Sequence, residues 1–319
     1  MIRIAVDAMG GDHAPGAIVD GAVAAARHLD VQVALVGAAP AIQEALSAHD
    51  GWRTLPIEIV DAPHVIQMTE APAAALRRKP GASIRVAADR VARGEAAAFF
   101  SAGHTGATVM AAYGAFGTIP GVDRPALAAT IPTGRRPAVL LDAGANVECR
   151  PQHLLQFAVM GGVYARVELG IEQPRIGLLS IGEEETKGNE LTREAHRLLK
   201  ASSLHFIGNV EGREIYRGVA DVIVCDGFTG NVVLKTSEGL VEMVESLLGD
   251  GLQGALKRLD SAEYGGAPLL GVAGLAIVGH GRSSATAVRN AIAMAHRFAT
   301  GDFIQRVERD IAGAGQAAR

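Results

Sequence analysis

The feature that most constrains the fold is a repeated alternation of short apolar runs with helical segments. Each run is followed by Gly, Asp or Asn and then by helical periodicity, which is typical of stacked βαβ units. Several runs are apolar throughout, as a mainly parallel sheet covered by helices on both faces requires. We therefore predict an α/β protein with a three-layer αβα sandwich. The predicted strands are residues 2–6, 31–36, 57–60, 97–100, 138–141, 175–179, 205–207 and 222–225.

Eight segments between these runs have the apolar spacing of helices. They are residues 14–28, 39–48, 83–93, 105–117, 152–169, 189–200, 231–248 and 283–299. The composition changes only at 249–274, where seven glycines interrupt two helical segments. We expect a single domain over residues 1–319, made of two closely joined lobes, with a loop-rich connector at about 249–274.

Composition excludes several classes of protein. A chain of 319 residues with 49% hydrophobic residues can bury a sizeable core. Aromatic residues make up only 4% and the net charge is −4, so we expect no nucleic-acid partner. Cys149 and Cys225 form neither a disulfide framework nor a zinc-binding pair. No apolar run reaches the roughly 18 residues of a spanning helix, so we predict a cytoplasmic protein without metal or cofactor.

Common catalytic motifs are absent from the sequence. There is no phosphate-binding Gly-Lys-Ser/Thr loop, no Gly-x-Ser-x-Gly turn and no His-Glu-x-x-His helix. A Gly-x-Gly-x-x-Gly pattern occurs at Gly249, Gly251 and Gly254, but it follows a predicted helix where a dinucleotide site requires a strand. Nucleotide hydrolase, serine esterase and zinc protease functions are therefore disfavoured.

The chain instead carries glycine-rich polar turns, nearly all directly after predicted strands. The carboxyl ends of parallel strands form the ligand crevice of such sheets, and helices that begin there direct free N–H groups into it. We therefore expect an anion to bind at these turns. The turns are residues 7–15, 101–107, 141–146, 180–189, 226–231 and 279–284.

Each turn offers candidates for binding phosphate or substrate, with a structural alternative beside the functional one. Turn geometry, helix capping and solvated counter-charges explain such residues equally well. Cys149 has no partner base nearby, so a structural thiol is favoured over a nucleophile. The roles of Asp12 and His280 stay open between capping or packing and function. The candidates are Asp7, Gly103, His104, Thr105, Gly106, Asp142, Asn146, Lys187, Asn189, Asp226, Gly227, Thr229, Gly230 and Asn231.

A crevice of this kind suits inorganic phosphate or a phosphate ester. Phosphate is already anionic near neutral pH. Its attack on an activated acyl group, such as a thioester, needs mainly positioning and stabilisation of the oxyanion.

The polar turns, in order and with their spacing, resemble the phosphate acyltransferase family that converts fatty acyl-ACP and phosphate to acyl phosphate. The resemblance spans essentially the whole chain. It rests on the stretches DAMGGDHAP, SAGHTGAT, LDAGAN, IGEEETKGNE, IGNVEGREI, VCDGFTGNVVLK, EYGGAPLLG and GHGRSS.

The resemblance implies a fold like those of phosphate acetyltransferase and isopropylmalate dehydrogenase. It also implies a homodimer, an acyl carrier protein and inorganic phosphate as partners, and a role in phospholipid synthesis. In the reaction it implies, phosphate attacks the thioester directly, without a covalent enzyme intermediate. Lys187 and Asn231 would contact the phosphate or oxyanion. Thr105, Gly106 and Asn146 would add donors, and Asp142 and Asp226 would orient them.

The sequence departs from the family pattern in two places. His104 stands where the family more often has Asn. The amphipathic stretch before EYGG is shortened to residues 247–260, with Leu248, Leu252, Leu256 and Leu259 as a short apolar face. That face is the basis of a hypothesis of weak peripheral membrane contact.

An acyl carrier protein is acidic, so its docking surface should be locally basic. Candidates are Arg77, Arg78 and Lys79, and also Arg135 and Arg136. The alternative for both groups is a solvated charge run. Three other functions stay open: a phosphate acyltransferase for short acyl-CoA, an NAD-dependent decarboxylating dehydrogenase, and a non-catalytic scaffold that binds acyl groups or phosphate.

Overall fold

The computed structural model describes residues 1–248 and 264–317, which form two compact units. The first unit comprises Met1–Gly117 and Ala262–Gly301, and the second comprises Thr118–Ser261 and Asp302–Arg319. Most of the expected connector at 249–274 lies outside the described residues. The single-domain organisation stays a prediction, as does the apolar face of 247–260, of which Leu252, Leu256 and Leu259 also lie outside them.

The described residues contain eleven strands and ten α-helices. The strands are β1 Ile2–Asp7, β2 Val31–Gly37, β3 Ile57–Asp61, β4 Ala98–Ser101, β5 Ala126–Ile131, β6 Ala138–Leu141, β7 Ile176–Ser180, β8 Phe206–Glu211, β9 Val222–Val224, β10 Ala267–Leu270 and β11 Leu275–Val278. The helices are α1 Gly16–His28, α2 Ala39–Ser47, α3 Pro72–Arg78, α4 Ser83–Ala92, α5 Thr105–Phe116, α6 Pro151–Val167, α7 Glu190–Ala201, α8 Gly227–Leu248, α9 Ala285–Thr300 and α10 Phe303–Ala317.

In the first unit the strand order is β3-β2-β1-β4-β11-β10. Five of these strands are parallel, and β10 runs antiparallel to β11. The register pairs Asp7 with Ser101 at the carboxyl ends of β1 and β4. Two sequence-predicted polar turns therefore begin side by side at one edge of this sheet.

In the second unit the strand order is β5-β6-β9-β7-β8. The last four strands are parallel, and β5 runs antiparallel to β6. Helix α6 packs against β6 and β9 and against α7 and α10. Its thirteen buried residues, from His153 to Ala165, show that it lies in the core of this unit. The turns after β6, β9 and β7 again share one edge.

All eight predicted strands and all eight predicted helices are present, most of them with shifted ends. The largest strand shift is at β8, which extends to Glu211. Helix α8 begins at Gly227, four residues earlier than predicted, so Gly227, Thr229 and Gly230 lie in its first turn. Five elements were not predicted from the sequence: β5, β10, β11, α3 and α10. Within residues 1–248 and 264–317, no helix has both the length and the apolar character needed to cross a bilayer.

An ion pair around Asp221 ties together three segments of the second unit. The buried carboxylate accepts hydrogen bonds from the backbone N–H of Arg175 at 2.9 Å, from Arg175 Nε at 3.0 Å and from Arg136 Nε at 3.2 Å. Burial opposes ionisation, but the hydrogen bonds and charge of Arg175, together with Arg136, hold the pKa of Asp221 below its usual value. The pair joins the start of β9 to the start of β7.

We expect Asp221→Ala to lower the free energy of unfolding by about 3 kcal/mol near neutral pH, because it leaves Arg175 without its anion. The folded state depresses the pKa of Asp221, so the wild-type advantage is present above about pH 4. It is lost as the pH falls through the folded pKa. Urea unfolding of both proteins across this pH range measures the difference.

Asp20→Ala is the matched control, since Asp20 is an exposed carboxylate paired with His49 at 2.9 Å. We expect it to change the unfolding free energy by less than about 1 kcal/mol. Equal losses in the two variants would contradict the importance of the Asp221 ion pair.

Candidate functional site

The turn after β6 in the second unit is organised by Asp142. Its fully buried carboxylate accepts backbone N–H groups from Leu127, Gly144 and Ala145 at 2.9–3.0 Å on Oδ1. On Oδ2 it accepts the backbone N–H of Asn146 at 2.7 Å and the Asn146 carboxamide at 2.8 Å. Five hydrogen bonds to one carboxylate fix the path of residues 142–146.

Burial raises the pKa of Asp142, and the hydrogen bonds from Ala145, Asn146, Leu127 and Gly144 oppose that shift. The carboxylate has no exposed surface from which to take a proton from a substrate. This geometry favours the orienting role predicted for Asp142. The Asn146 carboxamide also donates to Pro125 O at 2.7 Å, so both of its hydrogens are engaged. Asn146 is therefore better placed to hold the turn than to donate to phosphate.

Helix α8 begins against this turn. Asp226 accepts the backbone N–H and the hydroxyl of Thr229, both at 2.8 Å, so these two predicted binding residues form a helix cap. Gly227 donates its N–H to Asn146 O at 2.8 Å. A β-carbon on Gly230 would collide with Asp142 O. Gly227 and Gly230 thus allow close contact between α8 and the turn.

Asn231 lies one helical turn along α8 and is exposed. A β-carbon added to Gly144 would lie 3.5 Å from both Cβ and Cγ of Asn231. The Asn231 side chain therefore stands beside the Asp142 turn, and no hydrogen bond to another described residue occupies its carboxamide. Its N–H groups are free to contact a substrate.

The turn after β7 carries Lys187. A β-carbon on Gly182 would lie 2.9 Å from Lys187 Cγ, so the lysine stem crosses over this glycine. Asn209 holds the turn from β8, donating to Gly182 O at 3.2 Å and to Glu184 O at 2.9 Å. Within the described part of the chain, the exposed Lys187 ammonium has no ion-pair partner, although three glutamates precede it. This leaves its charge available to an anion.

Asn189 has a structural task in the same turn. Its side chain accepts the backbone N–H of Thr192 at 2.9 Å and so caps α7. This capping favours the structural alternative for Asn189 over phosphate binding. Asn209 is a residue that the sequence analysis missed. It lies inside the motif IGNVEGREI, but a polar residue within a strand gave no sign that it would reach across to residues 182–184.

The first unit repeats the arrangement at its own sheet edge. Ser101 donates to Asp7 Oδ2 at 2.7 Å, and Gly103 N–H donates to Ser101 Oγ at 3.1 Å. Burial raises the pKa of Asp7, opposed by hydrogen bonds from Ser83, Ser101 and the backbone of Met9. Asp7 is 2% exposed, so it holds the turn from the buried side and offers little surface to a ligand.

Helix α5 begins at this edge with its N-terminal N–H groups uncapped by the side chain of His104, the N-cap residue. Among the described residues, the buried Nδ1 of His104 has no hydrogen-bond partner. Thr105 is exposed, and Gly106 lies close to the His104 ring. An uncapped helix start with an exposed hydroxyl is suited to an anion, and anion binding by residues 103–106 stays a prediction. His280 Nδ1 instead accepts the N–H of Arg282 at 3.2 Å, which favours its structural alternative.

The two cysteines are poorly suited to nucleophilic attack. Burial raises the pKa of the Cys149 thiol to about 11, although a hydrogen bond from Gly227 opposes the shift. Burial likewise raises the pKa of Cys225, whose thiol donates to Asp142 O at 3.6 Å. Both thiols therefore stay protonated near neutral pH. Over the residues with described positions, no group of three His, Cys, Asp or Glu side chains could hold a metal ion.

Comparison with known proteins decides the family. A family model described as "Fatty acid synthesis protein" matches residues 2–306. A phosphate acyltransferase from Heliobacterium modesticaldum is 50% identical, and the alignment covers 98% of each chain. One from Acidobacterium capsulatum is also 50% identical, with 97% of each chain covered. The chain belongs to the phosphate acyltransferase family. The family predicted from the sequence motifs is thereby confirmed, and with it the acyltransferase class of enzyme.

Solved structures place this phosphate acyltransferase family member in a known fold. EutD phosphotransacetylase from Staphylococcus aureus has a TM-score of 0.62 at 18% identity, with 93% of this chain and 94% of that chain covered. A phosphotransacetylase from Streptococcus pyogenes has a TM-score of 0.64 at 18% identity, with 94% of each covered. At this identity the likeness concerns the fold alone, and it confirms the predicted fold class.

The contact between α8 and the Asp142 turn generates a prediction. Gly230→Ala is expected to lower the unfolding free energy by about 2 kcal/mol and to reduce activity, because the added methyl pushes α8 away from Asp142 O. Chemical unfolding and steady-state rates measure the two effects.

Gly239→Ala, on the same helix, is the matched control, since a β-carbon there meets nothing within 4 Å. We expect this variant to be neutral or more stable by up to about 1 kcal/mol, because alanine favours helix. A Gly230→Ala protein as active and stable as this control would show that the contact is unimportant.

Proposed function

We propose that the enzyme transfers the acyl group of a fatty acyl-ACP to inorganic phosphate. The products are acyl phosphate and free ACP thiol, and the acyl phosphate feeds phosphatidic acid and phospholipid synthesis. The observation that carries the proposal is that one edge of the second unit presents two polar groups: an ammonium without an ion-pair partner among the described residues, and an exposed carboxamide. These groups belong to Lys187 and Asn231.

The chemistry needs little more from the protein than positioning and charge. A phosphate oxygen forms a bond to the thioester carbonyl carbon, and the carbonyl oxygen becomes an oxyanion. The oxyanion then collapses, the carbon–sulfur bond breaks, and the carrier leaves as a thiolate that takes a proton from water. No enzyme thiolate is required, which agrees with the raised pKa values of Cys149 and Cys225.

Lys187 and Asn231 act on different groups, the phosphate and the oxyanion. The Lys187 ammonium attracts phosphate and offsets the charge that it brings to the carbonyl carbon. The Asn231 carboxamide donates a hydrogen bond to the oxyanion. The Asp142 turn holds α8, and therefore Asn231, in place through the hydrogen bond from Gly227 to Asn146 and the close approach at Gly230. The first unit, taken by itself, offers the N–H groups of Thr105 and Gly106 to an anion at the uncapped start of α5.

We assign the docking of the acyl carrier protein to only part of the predicted basic run. Lys79 Nζ is held by Glu70 at 2.6 Å and by Val65 O at 2.8 Å, and Arg78 lies 3.6 Å from Glu70. Arg77, at the exposed end of α3, has no ion pair with any residue whose position is described. We therefore place the docking charge on Arg77, with Arg78 beside it. Arg136 is engaged by Asp221.

A homodimer and a weak peripheral contact with the membrane complete the proposal. Both are implied by the family resemblance. Exposed apolar side chains on α8, among them Leu240 and Met243, agree with a partner that covers this helix.

We expect Lys187→Met and Asn231→Ala each to lower kcat by about 100-fold, because each removes a group that stabilises developing charge. The assay follows release of the ACP thiol from long-chain acyl-ACP and formation of acyl phosphate, with and without inorganic phosphate. Lys235→Met is the matched control, as Lys235 is an exposed α8 lysine paired with Glu238 at 2.7 Å.

Phosphate-dependent thiol release by the wild type supports the proposal. Thiol release from acyl-CoA but not from acyl-ACP would show that the acyl donor is a short-chain acyl-CoA. Inactivity with both donors would overturn it in favour of a scaffold. Undiminished rates in both variants would remove Lys187 and Asn231 from the chemistry.

Arg77→Glu is expected to raise the KM for acyl-ACP by about tenfold and to leave the KM for phosphate unchanged, because it reverses a charge facing an acidic carrier. The effect should shrink at high salt. Arg309→Glu, an exposed arginine on α10, serves as the control. Equal KM values in the two variants would exclude docking at Arg77.

A further inference from the structure

Three large apolar side chains lie exposed within or directly after the polar turns of the second unit. Val147 is 69% exposed, Ile181 81% and Phe228 61%. Single exposed apolar residues are ordinary, but several together at a ligand-binding edge indicate a binding surface. We call Val147, Ile181 and Phe228 the apolar rim.

The sheet topology sets these three residues in a row. Strand β9 lies between β6 and β7, and all three are parallel, so their carboxyl ends meet at one edge. Val147 follows β6, Phe228 follows β9 and Ile181 follows β7. Neighbouring strands are about 4.8 Å apart, so the turn that holds Phe228 is flanked by the turns that hold the other two. The Gly227–Asn146 hydrogen bond of 2.8 Å joins two of these turns directly.

Each rim residue adjoins a polar group of the proposed reaction. Phe228 and Asn231 are three residues apart on α8, which places their Cβ atoms about 5–6 Å apart on one face. Ile181 precedes Gly182, the glycine crossed by the Lys187 stem. Val147 follows Asn146, which is bonded to Asp142 at 2.8 Å. The apolar surface thus begins where the polar groups are.

A fatty acyl thioester likewise has a polar part next to an apolar part. Its reacting carbon is polar and becomes charged, while the chain attached to that carbon is wholly apolar. A site for such a substrate combines a few polar groups with apolar surface that starts beside them. The 50% exposed Val232, four residues after Phe228 on α8, lies on the same helix face as Phe228 and enlarges the apolar surface.

We propose that the apolar rim binds the acyl chain of the donor next to its thioester, and that Phe228 sets the preference for long over short chains. This inference rests on the proposed acyl transfer and names the part of the site that recognises the chain. Burial of chain methylenes against Phe228 supplies binding energy in proportion to the apolar area buried. A short acyl group has fewer methylenes to bury and gains less.

The test compares a long-chain with a short-chain acyl thioester on whichever carrier the wild type accepts. For Phe228→Ser, we expect the ratio of kcat/KM for the long donor to kcat/KM for the short donor to fall about tenfold. Phe228→Leu should recover part of the preference. Because Phe228 is exposed, both variants are expected to fold, and thermal unfolding checks this.

Ile207→Ser is the matched control, since Ile207 is an exposed apolar residue on β8 outside the polar turns. Its chain-length ratio should stay within about twofold of the wild type, as for most surface substitutions. A wild-type ratio in Phe228→Ser would overturn the proposal while leaving acyl transfer intact. Wild type that is inactive with every donor would instead refute the proposed function.

Two other outcomes would show that the apolar rim binds something other than the acyl chain, and each would overturn the proposal. If Phe228→Ser changes the oligomeric state in light scattering without changing the chain-length ratio, a second copy of the chain covers the rim. If it abolishes sedimentation with phosphatidylglycerol vesicles without changing the ratio, the rim meets a lipid surface.

Discussion

The position of Asn231 in the second unit depends on one buried carboxylate, that of Asp142. Asp142 gathers four backbone N–H groups and one carboxamide, and the turn so formed lies against the first turn of α8. Burial of a carboxylate is unfavourable unless its oxygens are hydrogen-bonded. The turn therefore holds one conformation as long as Asp142 holds its donors, and the position of Asn231 follows from it.

The first unit uses the same principle at the end of β1. Asp7 binds the Ser101 hydroxyl, which in turn accepts the N–H of Gly103 ahead of α5. In both units a buried aspartate at a strand end shapes a turn, and exposed polar groups lie at the start of the helix that follows the neighbouring strand, α8 in the second unit and α5 in the first. The carboxylates act as supports, which explains why neither is placed to act as a base.

Much of the fold could be predicted from the sequence because buried parallel strands are apolar throughout. Two of the strands that escaped prediction carry this signal less clearly, since β5 is half alanine and β10 contains a proline. Strand β11, Leu-Ala-Ile-Val, is apolar throughout but lies directly after the glycine-rich stretch for which we expected a connector. The polar turns were located correctly because strand ends are marked by Gly, Asp and Asn. Which polar groups are free could not be predicted from the sequence. Asn146 is engaged by Pro125 O, a contact that forms only in the fold, and helix capping by Asn189 was one of two alternatives that the sequence left open. Asn209 reaches its turn from a neighbouring strand.

The central claim is that phosphate itself attacks the acyl donor and that the enzyme forms no acyl intermediate. Stoichiometric enzyme mixed with long-chain acyl-ACP in phosphate-free buffer tests it most directly, with the protein analysed by intact mass and the free thiol measured. We expect unmodified enzyme and no free thiol, followed by equal amounts of thiol and acyl phosphate once phosphate is added. A burst of thiol before phosphate, with an acyl adduct on the enzyme, would contradict it.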